Sequence, residues 1–249
     1  MRKIVFCLLV FLGCLACPVK AQFRGNFNAD NAEVEQQCQR AREAAGSNLS
    51  LRRSQDSSKE EYYGLPQERR ASFSGCDLRG ADLRGANLSK VDLSAVNLSP
   101  IIRVSERRST ETPSDLTGAD LSEAKLDFAN FNQAILNNVN FSGARLYSTR
   151  LSGAQLENAL LEKTFAPYII LYGANLTRAR LSSGNFTGAR MAGANLTGAT
   201  LRGANLRDAD FTEANLTGAD LTAANLSGAN LCNATLPNGT KSQQGCEGI

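Results

Sequence analysis

The feature that most restricts the fold is an apolar residue at every fifth position. In "ANLTGATLRGANLRDADFTEANLTGADLTAANLSGANL", Leu or Phe recurs at each fifth position from Leu196 to Leu231. In an α-helix, residues five apart lie about 140° apart, so no single apolar stripe forms. In a straight strand, an odd spacing sends successive side chains to opposite faces. Neither regular element buries this pattern on one side.

A chain that turns a corner every five residues does satisfy the pattern. Four corners close a square coil of about 20 residues with each central Leu or Phe inside, and stacked coils pair like strands about 4.8 Å apart. The Ala two positions before each centre also points inward, where a larger side chain would crowd the axis. Asp or Asn just before the centre can hydrogen-bond the nearby backbone, and Gly two positions after it eases the corner.

The repeated motif A-[DN]-L-x-x, as in Ala194-Asn195-Leu196, resembles the repeat of the pentapeptide repeat family. The resemblance covers Phe73 to Leu236, about two thirds of the chain. It implies an all-β fold, a right-handed quadrilateral β-helix. It implies function only weakly, because one fold supports many roles.

The register begins, breaks, resumes and ends at definite points. Leu116 lies eighteen residues after Leu98, which is not a multiple of five, and Leu236-Pro237 begins a turn-forming tail. We therefore divide the chain into a first repeat block over 71–98, an inserted loop over 99–115, a main repeat block over 116–236, and a C-terminal cap and tail over 237–249. The central positions are enough for about eight coils.

One repeat departs from the pattern, in "EKTFAPYIIL". Its central position is Ala166, and Pro167 follows. Because proline has no N–H to donate to a ladder, we predict that this face bulges at Pro167.

The N-terminus, "MRKIVFCLLVFLGCLACPVKAQ", is typical of an export signal. Two basic residues precede an apolar run, Ile4 to Cys17, that is too short for a comfortable membrane span. We predict a signal peptide over residues 1–21. The segments "FLGC" and "CLAC" also resemble weak lipoprotein motifs, so lipidation at Cys14 or Cys17 is the alternative.

Charge argues against nucleic acid as the partner. The sequence has 27 basic and 24 acidic residues, but cleavage after Ala21 removes Arg2, Lys3 and Lys20 and no acid. The mature chain is then neutral, and bulk charge does not support nucleic-acid binding. We also expect no transmembrane span in the mature chain, since no second apolar stretch is long enough.

Residues 22–70 separate the signal from the repeats. We predict a short helix over 30–46, because one helical face would carry Val34, Cys38, Ala41 and Ala45. An open solenoid end exposes its core, so this helix is expected to cap the first coil. The stretch 47–70 is polar and charged without a usable period, which is typical of a linker.

Four cysteines remain after cleavage: Cys38, Cys76, Cys232 and Cys246. An even count in an exported chain predicts two disulfides, with three possible pairings. Cys38 precedes the first repeat, where Cys76 lies, and Cys246 follows the last coil, where Cys232 should point outward. We therefore favour Cys38–Cys76 and Cys232–Cys246, each closing one end. Buried free thiols are the alternative.

The pattern offers no residues for catalysis. The chain has no His, and thus neither an imidazole base nor a histidine metal ligand. No Gly-rich phosphate loop or nucleophile elbow occurs, and the cysteines are too widely spaced for a zinc signature. Asp and Asn occupy the turn positions of the repeat itself. We expect no enzyme activity, no cofactor and no metal site.

The inserted loop is the first candidate partner site. It carries Arg103, Arg107 and Arg108 beside Ile101 and Ile102, a combination suited to a partner or an anionic surface. The alternative is an ordinary solvated loop.

An aromatic patch is the second candidate. Coils of twenty residues place Phe128 and Tyr168 in the same outward position two coils apart, about 10 Å along the axis, with Tyr147 between them. Exposed apolar clusters of this kind mark interfaces. The alternative is that the rings cover the predicted bulge.

These observations favour a non-catalytic exported module that binds an unidentified protein or has a structural role. The tail "LCNATLPNGTKSQQGC" looks like that of exported members of the family common in cyanobacteria, which implies the periplasm, the thylakoid lumen or the extracellular space. A second branch, the topoisomerase-binding DNA mimics, is acidic, cytoplasmic and dimeric, whereas this chain is neutral and carries a signal. A lipid-anchored envelope protein is the third hypothesis.

Overall fold

The computed structural model describes residues 74–80, 83–105 and 108–246. Within these ranges the chain forms a stack of four-sided coils. The predicted signal peptide, the helix over 30–46 and the linker over 47–70 lie outside the described residues, and they stay predictions.

Isolated parallel bridges join each coil to the next, one on every side. Asn175 pairs with Asn195, and Asn195 pairs with Asn215, so the repeat is twenty residues. At each bridge the ladder runs both ways: Leu196 N–H donates to Asn215 O at 2.7 Å, and Asn195 N–H donates to Ala174 O at 2.9 Å. The described residues therefore form the β-helix solenoid that the five-residue period predicts.

The insertion is accommodated without loss of the stack. Across it, bridges join residues 33 positions apart, as in Asn87 with Asp120 and Asn97 with Asn130. The chain leaves after Leu98, forms a hairpin, and returns with Leu116 on the next side of the coil. The hairpin consists of β1 (Ile101–Ser105) and β2 (Arg108–Thr112), which pair antiparallel.

The interior consists of the central Leu or Phe residues and the Ala residues two positions before them. In the middle of the stack these side chains are fully buried, among them Leu151, Phe186 and Ala154. Each buried Leu or Phe side chain contributes about 2 kcal/mol relative to exposure. Where Thr149 replaces the inner Ala, its hydroxyl donates to Leu126 O at 2.7 Å, so the buried group is satisfied.

The corners require a left-handed backbone two residues after each centre. Glycine accepts this conformation without cost, as at Gly193 with φ 66°. Many corners use other residues, and these include Phe128 with φ 61° and Tyr168 with φ 58°.

The bulge predicted at Pro167 is wrong. The bridges from Arg145 to Phe165 and from Phe165 to Asn185 keep the twenty-residue spacing, and Pro167 O accepts from Ser148 N–H at 3.0 Å. The reason lies in the position that follows each centre, whose N–H takes no part in the coil-to-coil ladder. Proline at this position therefore removes no ladder hydrogen bond.

The C-terminal tail folds back over the last coil. Thr235 pairs antiparallel with Lys241, and Leu231 N–H donates to Gln244 O at 3.0 Å. A disulfide joins Cys232 and Cys246, which agrees with the favoured pairing.

Cys232 is only 2% exposed, because the tail that carries Cys246 folds back over it. Cys76 is disulfide-bonded too and is buried. Its predicted partner, Cys38, lies outside the described residues, so that pairing remains a prediction.

Candidate functional site

Three aromatic rings form a continuous ladder on the outside of the stack. Phe128 and Tyr147 lie with ring centroids 5.4 Å apart at an interplanar angle of 79°. Tyr147 and Tyr168 follow at 5.9 Å and 83°. Both contacts are edge-to-face, the geometry that aromatic pairs prefer. The structure thus brings together the three residues that the sequence placed on one side; we call Phe128, Tyr147 and Tyr168 the aromatic ladder.

The aromatic ladder is exposed although it is large and apolar. Phe128 is 59% exposed and Tyr168 is 51% exposed, and Tyr147 between them is partly buried. Phe128 and Tyr168 also hold left-handed corners, which cost an L-residue about 1–2 kcal/mol. Burial therefore does not explain why these two corners carry aromatic residues.

An acidic and a basic residue, Asp127 and Arg145, lie beside the aromatic ladder. Asp127 Oδ1 accepts from Tyr147 N–H at 3.1 Å, and its other oxygen lies 3.0 Å from Arg145 Nη2. Arg145 in turn lies over the Phe165 ring, 5.8 Å from its centroid, a cation–π arrangement. Phe165 is itself 43% exposed. The ladder therefore continues on one flank into a charged and aromatic border.

On the other flank, an apolar row leads away from the ladder. Tyr168, Ile170 and Tyr172 are alternate residues, and their side chains point outward across the neighbouring side of the same coil. Tyr172 is 40% exposed and Ile170 is partly buried. Arg150 and Arg190 lie on the coils above and below Ile170, because each pairs with it in a bridge. Sequence reasoning missed Phe165, Ile170, Tyr172, Arg150 and Arg190.

A sequence signal for most of these residues did exist. Phe165, Ile170, Arg150 and Arg190 all occupy the position just before a centre, where the repeat most often uses Asp or Asn. A large or charged residue there marks a coil whose outer surface departs from the repeat.

The arginines of the inserted loop are placed elsewhere. Arg103 lies in β1 opposite Thr110, and Arg108 lies in β2 opposite Ser105. Arg107 lies outside the described residues. The hairpin leaves the coil at the corner after Leu98, one corner beyond the column that carries the ladder.

Within the described ranges, no group of three or more His, Cys, Asp or Glu residues is arranged to hold a metal ion. In the same ranges, no helix has the length and apolar character needed to cross a membrane.

The repeats match a known family. The family described as "Pentapeptide repeats" matches in eight copies, over residues 69–99 and, in overlapping segments, 114–238. These segments cover more than half of the chain. Among the curated proteins, no sequence matches.

Solved structures of the same kind are similar to the chain. HetL, a pentapeptide repeat protein involved in heterocyst differentiation regulation from the cyanobacterium Nostoc sp. strain PCC 7120, is 30% identical, with 69% of this chain and 91% of that chain covered and a TM-score of 0.26. Rfr23 from the cyanobacterium Cyanothece 51142 is 32% identical, with coverages of 66% and 88% and a TM-score of 0.17. A thylakoid-lumen pentapeptide repeat protein of Arabidopsis thaliana is 24% identical, with coverages of 59% and 69% and a TM-score of 0.15.

Proposed function

The chain belongs to the pentapeptide repeat family, and from that premise we propose that it is an exported, non-catalytic module that binds a protein partner through the aromatic ladder. The observation that carries this proposal is the aromatic ladder itself: three rings in successive edge-to-face contact, two of them more than half exposed to solvent.

Protein binding accounts for this surface better than any stability role. Aromatic side chains are enriched at protein interfaces and dominate their binding energies. The coils that carry the ladder are fully packed inside, so the rings project from a rigid support. A rigid support lowers the entropic cost of binding, because little needs to become ordered.

The placement of the acidic residues supports a non-catalytic role. Asp210 Oδ1, for example, accepts from the N–H and the hydroxyl of Thr212 at 3.0 and 2.6 Å. Asp220 accepts from Thr222 N–H at 2.9 Å in the same way. These carboxylates hold turns, and the chain has no His to serve as a base.

Export is supported by the signal-like N-terminus and by the cysteines. Disulfides persist in oxidising compartments and are rare in the cytosol, and the last coil is closed by Cys232–Cys246. The periplasm, the thylakoid lumen or the extracellular space would each satisfy this chemistry, and lipid attachment at Cys14 or Cys17 is compatible with it.

The binding proposal is tested by removing the rings. Phe128, Tyr147 and Tyr168 are changed together to Ser, and proteins captured from an extract of the host are compared with those of the wild type. The matched control changes Asn138, Glu157 and Arg178 to Ser, because these occupy the same three positions two sides further round the same coils. A partner lost from the ladder variant and kept by the control supports the proposal, whereas an unchanged partner list contradicts it.

Export is tested by the intact mass of the protein from its native host, with and without reduction and thiol labelling. A chain that begins at Gln22, with four thiols labelled only after reduction, is the expected result. A full-length chain with free thiols would contradict export, and a lipid-sized mass increment on a chain beginning at Cys14 or Cys17 would move the protein to a membrane surface.

A further inference from the structure

The arginines on either side of Ile170 indicate what kind of protein partner this surface would bind. Arg145, Arg178, Arg180, Arg202 and Arg207 each form an ion pair with a nearby carboxylate. Arg150 and Arg190 are exposed, and neither forms an ion pair with any residue in the part of the chain that the structure describes. These two arginines are also the pair that flanks Ile170.

The carboxylate nearest along this column does not pair with its neighbouring arginine. Asp210 bridges Arg190 on the next coil through the backbone, but within the described residues no ion pair joins the two side chains, and Asp210 Oδ1 accepts from both donors of Thr212. On the far side, Arg150 is followed by Asn130, which is neutral. The mature chain is neutral as a whole, whereas this column has two arginines and one aspartate, so its excess of positive charge is local rather than part of a general basic surface.

We infer that the column Arg150, Ile170 and Arg190 binds an acidic amphipathic helix of the partner, laid parallel to the solenoid axis. This rests on the proposed function, since it names the partner chemistry for the surface that adjoins the aromatic ladder. The helix presents a carboxylate, an apolar side chain and a second carboxylate on one face.

The spacing of the column selects a helix over other peptide conformations. Coils are about 4.8 Å apart, so the three side chains emerge at about 0, 4.8 and 9.6 Å. In a helix, residues i, i+3 and i+7 share a face at about 0, 4.5 and 10.5 Å along the axis.

Other backbone conformations do not match these distances. A strand places side chains of one face about 6.7 and 13.4 Å along its axis. Polyproline II places every third residue about 9.3 Å apart, with no residue on that face between them.

The apolar row provides the width that such a helix needs. Tyr168 and Tyr172 stand on either side of Ile170, and four residues of chain separate them by at most about 13 Å. A helix with its side chains is about 10–12 Å across. A helix laid over Ile170 would therefore be wide enough to contact both tyrosines, and Tyr168 connects that site to the aromatic ladder.

The test uses a defined probe rather than an extract. A fluorescein-labelled, lactam-constrained helical peptide of about 18 residues carries Glu, Leu and Glu at i, i+3 and i+7, and a second peptide carries Gln in place of both Glu residues. Binding to the full mature chain is measured by fluorescence anisotropy at two salt concentrations. We expect the Glu peptide to bind at least tenfold more tightly than the Gln peptide and to weaken as salt rises.

Two protein variants locate the site. The double change Arg150→Gln and Arg190→Gln is expected to weaken binding of the Glu peptide at least tenfold. The matched control, Arg178→Gln and Arg180→Gln, removes the same charge from paired arginines on other sides of the coil and should leave binding unchanged. Ile170→Ser should weaken both peptides. Circular dichroism establishes that every variant keeps the wild-type fold.

Several results would overturn the inference: no binding of the Glu peptide, equal binding of the Gln peptide, or equal losses in the two arginine variants. Tighter binding of a single-stranded oligonucleotide would also overturn it, because stacked aromatics and arginines suit nucleic acid as well. If the ladder variant still loses its captured partner while the arginine variant keeps it, the inference fails and the proposed function stands. If the ladder variant keeps its partner, the proposed function fails on its own.

Discussion

In the last coils, residues 191–236, the position before each centre holds Asn, Asp or Thr. In the middle coils, residues 125–190, most of these positions hold other residues, among them Arg145, Arg150, Gln155, Phe165 and Ile170. Both regions form the same ladder with the same twenty-residue spacing. They differ in how they satisfy the backbone N–H of the residue just after each centre. This N–H takes no part in the backbone hydrogen bonds between coils.

The last coils satisfy this N–H from within the same turn. Thr197 N–H donates to Asn195 Oδ1 at 3.1 Å, and the Thr197 hydroxyl donates to the same oxygen at 2.6 Å. This local arrangement is an Asx turn, and it needs Asp or Asn before the centre.

The middle coils use this local arrangement where Asn precedes the centre, as at Asn140 and Asn175, but three of their turns take the acceptor from the preceding coil. Tyr147, Ser152 and Glu157 donate their N–H groups to residues exactly one coil earlier: Asp127, Asn132 and Asn137, at 3.1, 2.9 and 3.0 Å. At Pro167 there is no N–H to satisfy. Moving the acceptor frees the position before the centre, and in two of these turns the chain places Arg145 and Arg150 there.

The two regions also differ in burial, which gives the largest expected effect. Leu151 in the middle coils is fully buried, whereas Leu226 in the last full coil is only partly buried. Leu151→Ala should cost about 3 kcal/mol of unfolding free energy, and Leu226→Ala about 1 kcal/mol, because less surface is re-exposed. Urea unfolding followed by circular dichroism measures both. Equal losses would show that the two regions are packed alike.

The terminal disulfide should matter to the last coils alone. Cys232 and Cys246 are 14 residues apart, and closing a loop of this size contributes about 3 kcal/mol in the chain-entropy account. In the double variant Cys232→Ser and Cys246→Ser, the amides of Leu231 and Asn233 should exchange hydrogen faster while that of Leu151 is unchanged. A uniform rise in exchange would contradict a local clamp.

The two acceptors for the N–H after each centre, one in the same turn and one on the preceding coil, should be interchangeable. Asn137→Ala removes the acceptor of Glu157 N–H and should cost about 1 kcal/mol. Adding Gln155→Asn supplies an acceptor in the same turn, so the double variant should recover about 0.5–1 kcal/mol relative to additivity. Asn195→Ala, in the last coils, should cost about as much as Asn137→Ala. Strict additivity of the first two changes would disprove the exchange.

The smallest expected effect on stability comes from two glycine corners, one beside the aromatic ladder and one away from it. A Cβ at Gly188 would lie 2.7 Å from the Tyr168 ring, whereas one at Gly193 would meet nothing within 4 Å. Asn tolerates the left-handed corner, so Gly188→Asn and Gly193→Asn should each change the unfolding free energy by about 1 kcal/mol or less. Only Gly188→Asn should abolish nuclear Overhauser contacts between the Tyr147 and Tyr168 rings and weaken partner capture. Identical behaviour of the two variants would contradict the observed packing.

The period of five determined the coil by itself, because no helix or strand buries apolar residues at that spacing. Because one coil is then twenty residues long, the numbering alone was enough to place Phe128, Tyr147 and Tyr168 on one side of the stack. The pairing of Cys232 with Cys246 also followed from chain position, since both lie at the same end of the stack. These features depend only on spacing along the chain.

Other features were decided when the coils stacked. Pro167 leaves the backbone hydrogen bonds between coils intact, because the N–H that proline lacks takes no part in them. Cys232 is buried because the tail folds back over it. The twenty-residue period is also enough to place Arg150 and Arg190 on either side of Ile170, but only the closed coil shows which arginines reach a carboxylate. Ion pairs and burial join residues that are distant along the chain, so they exist only in the folded stack.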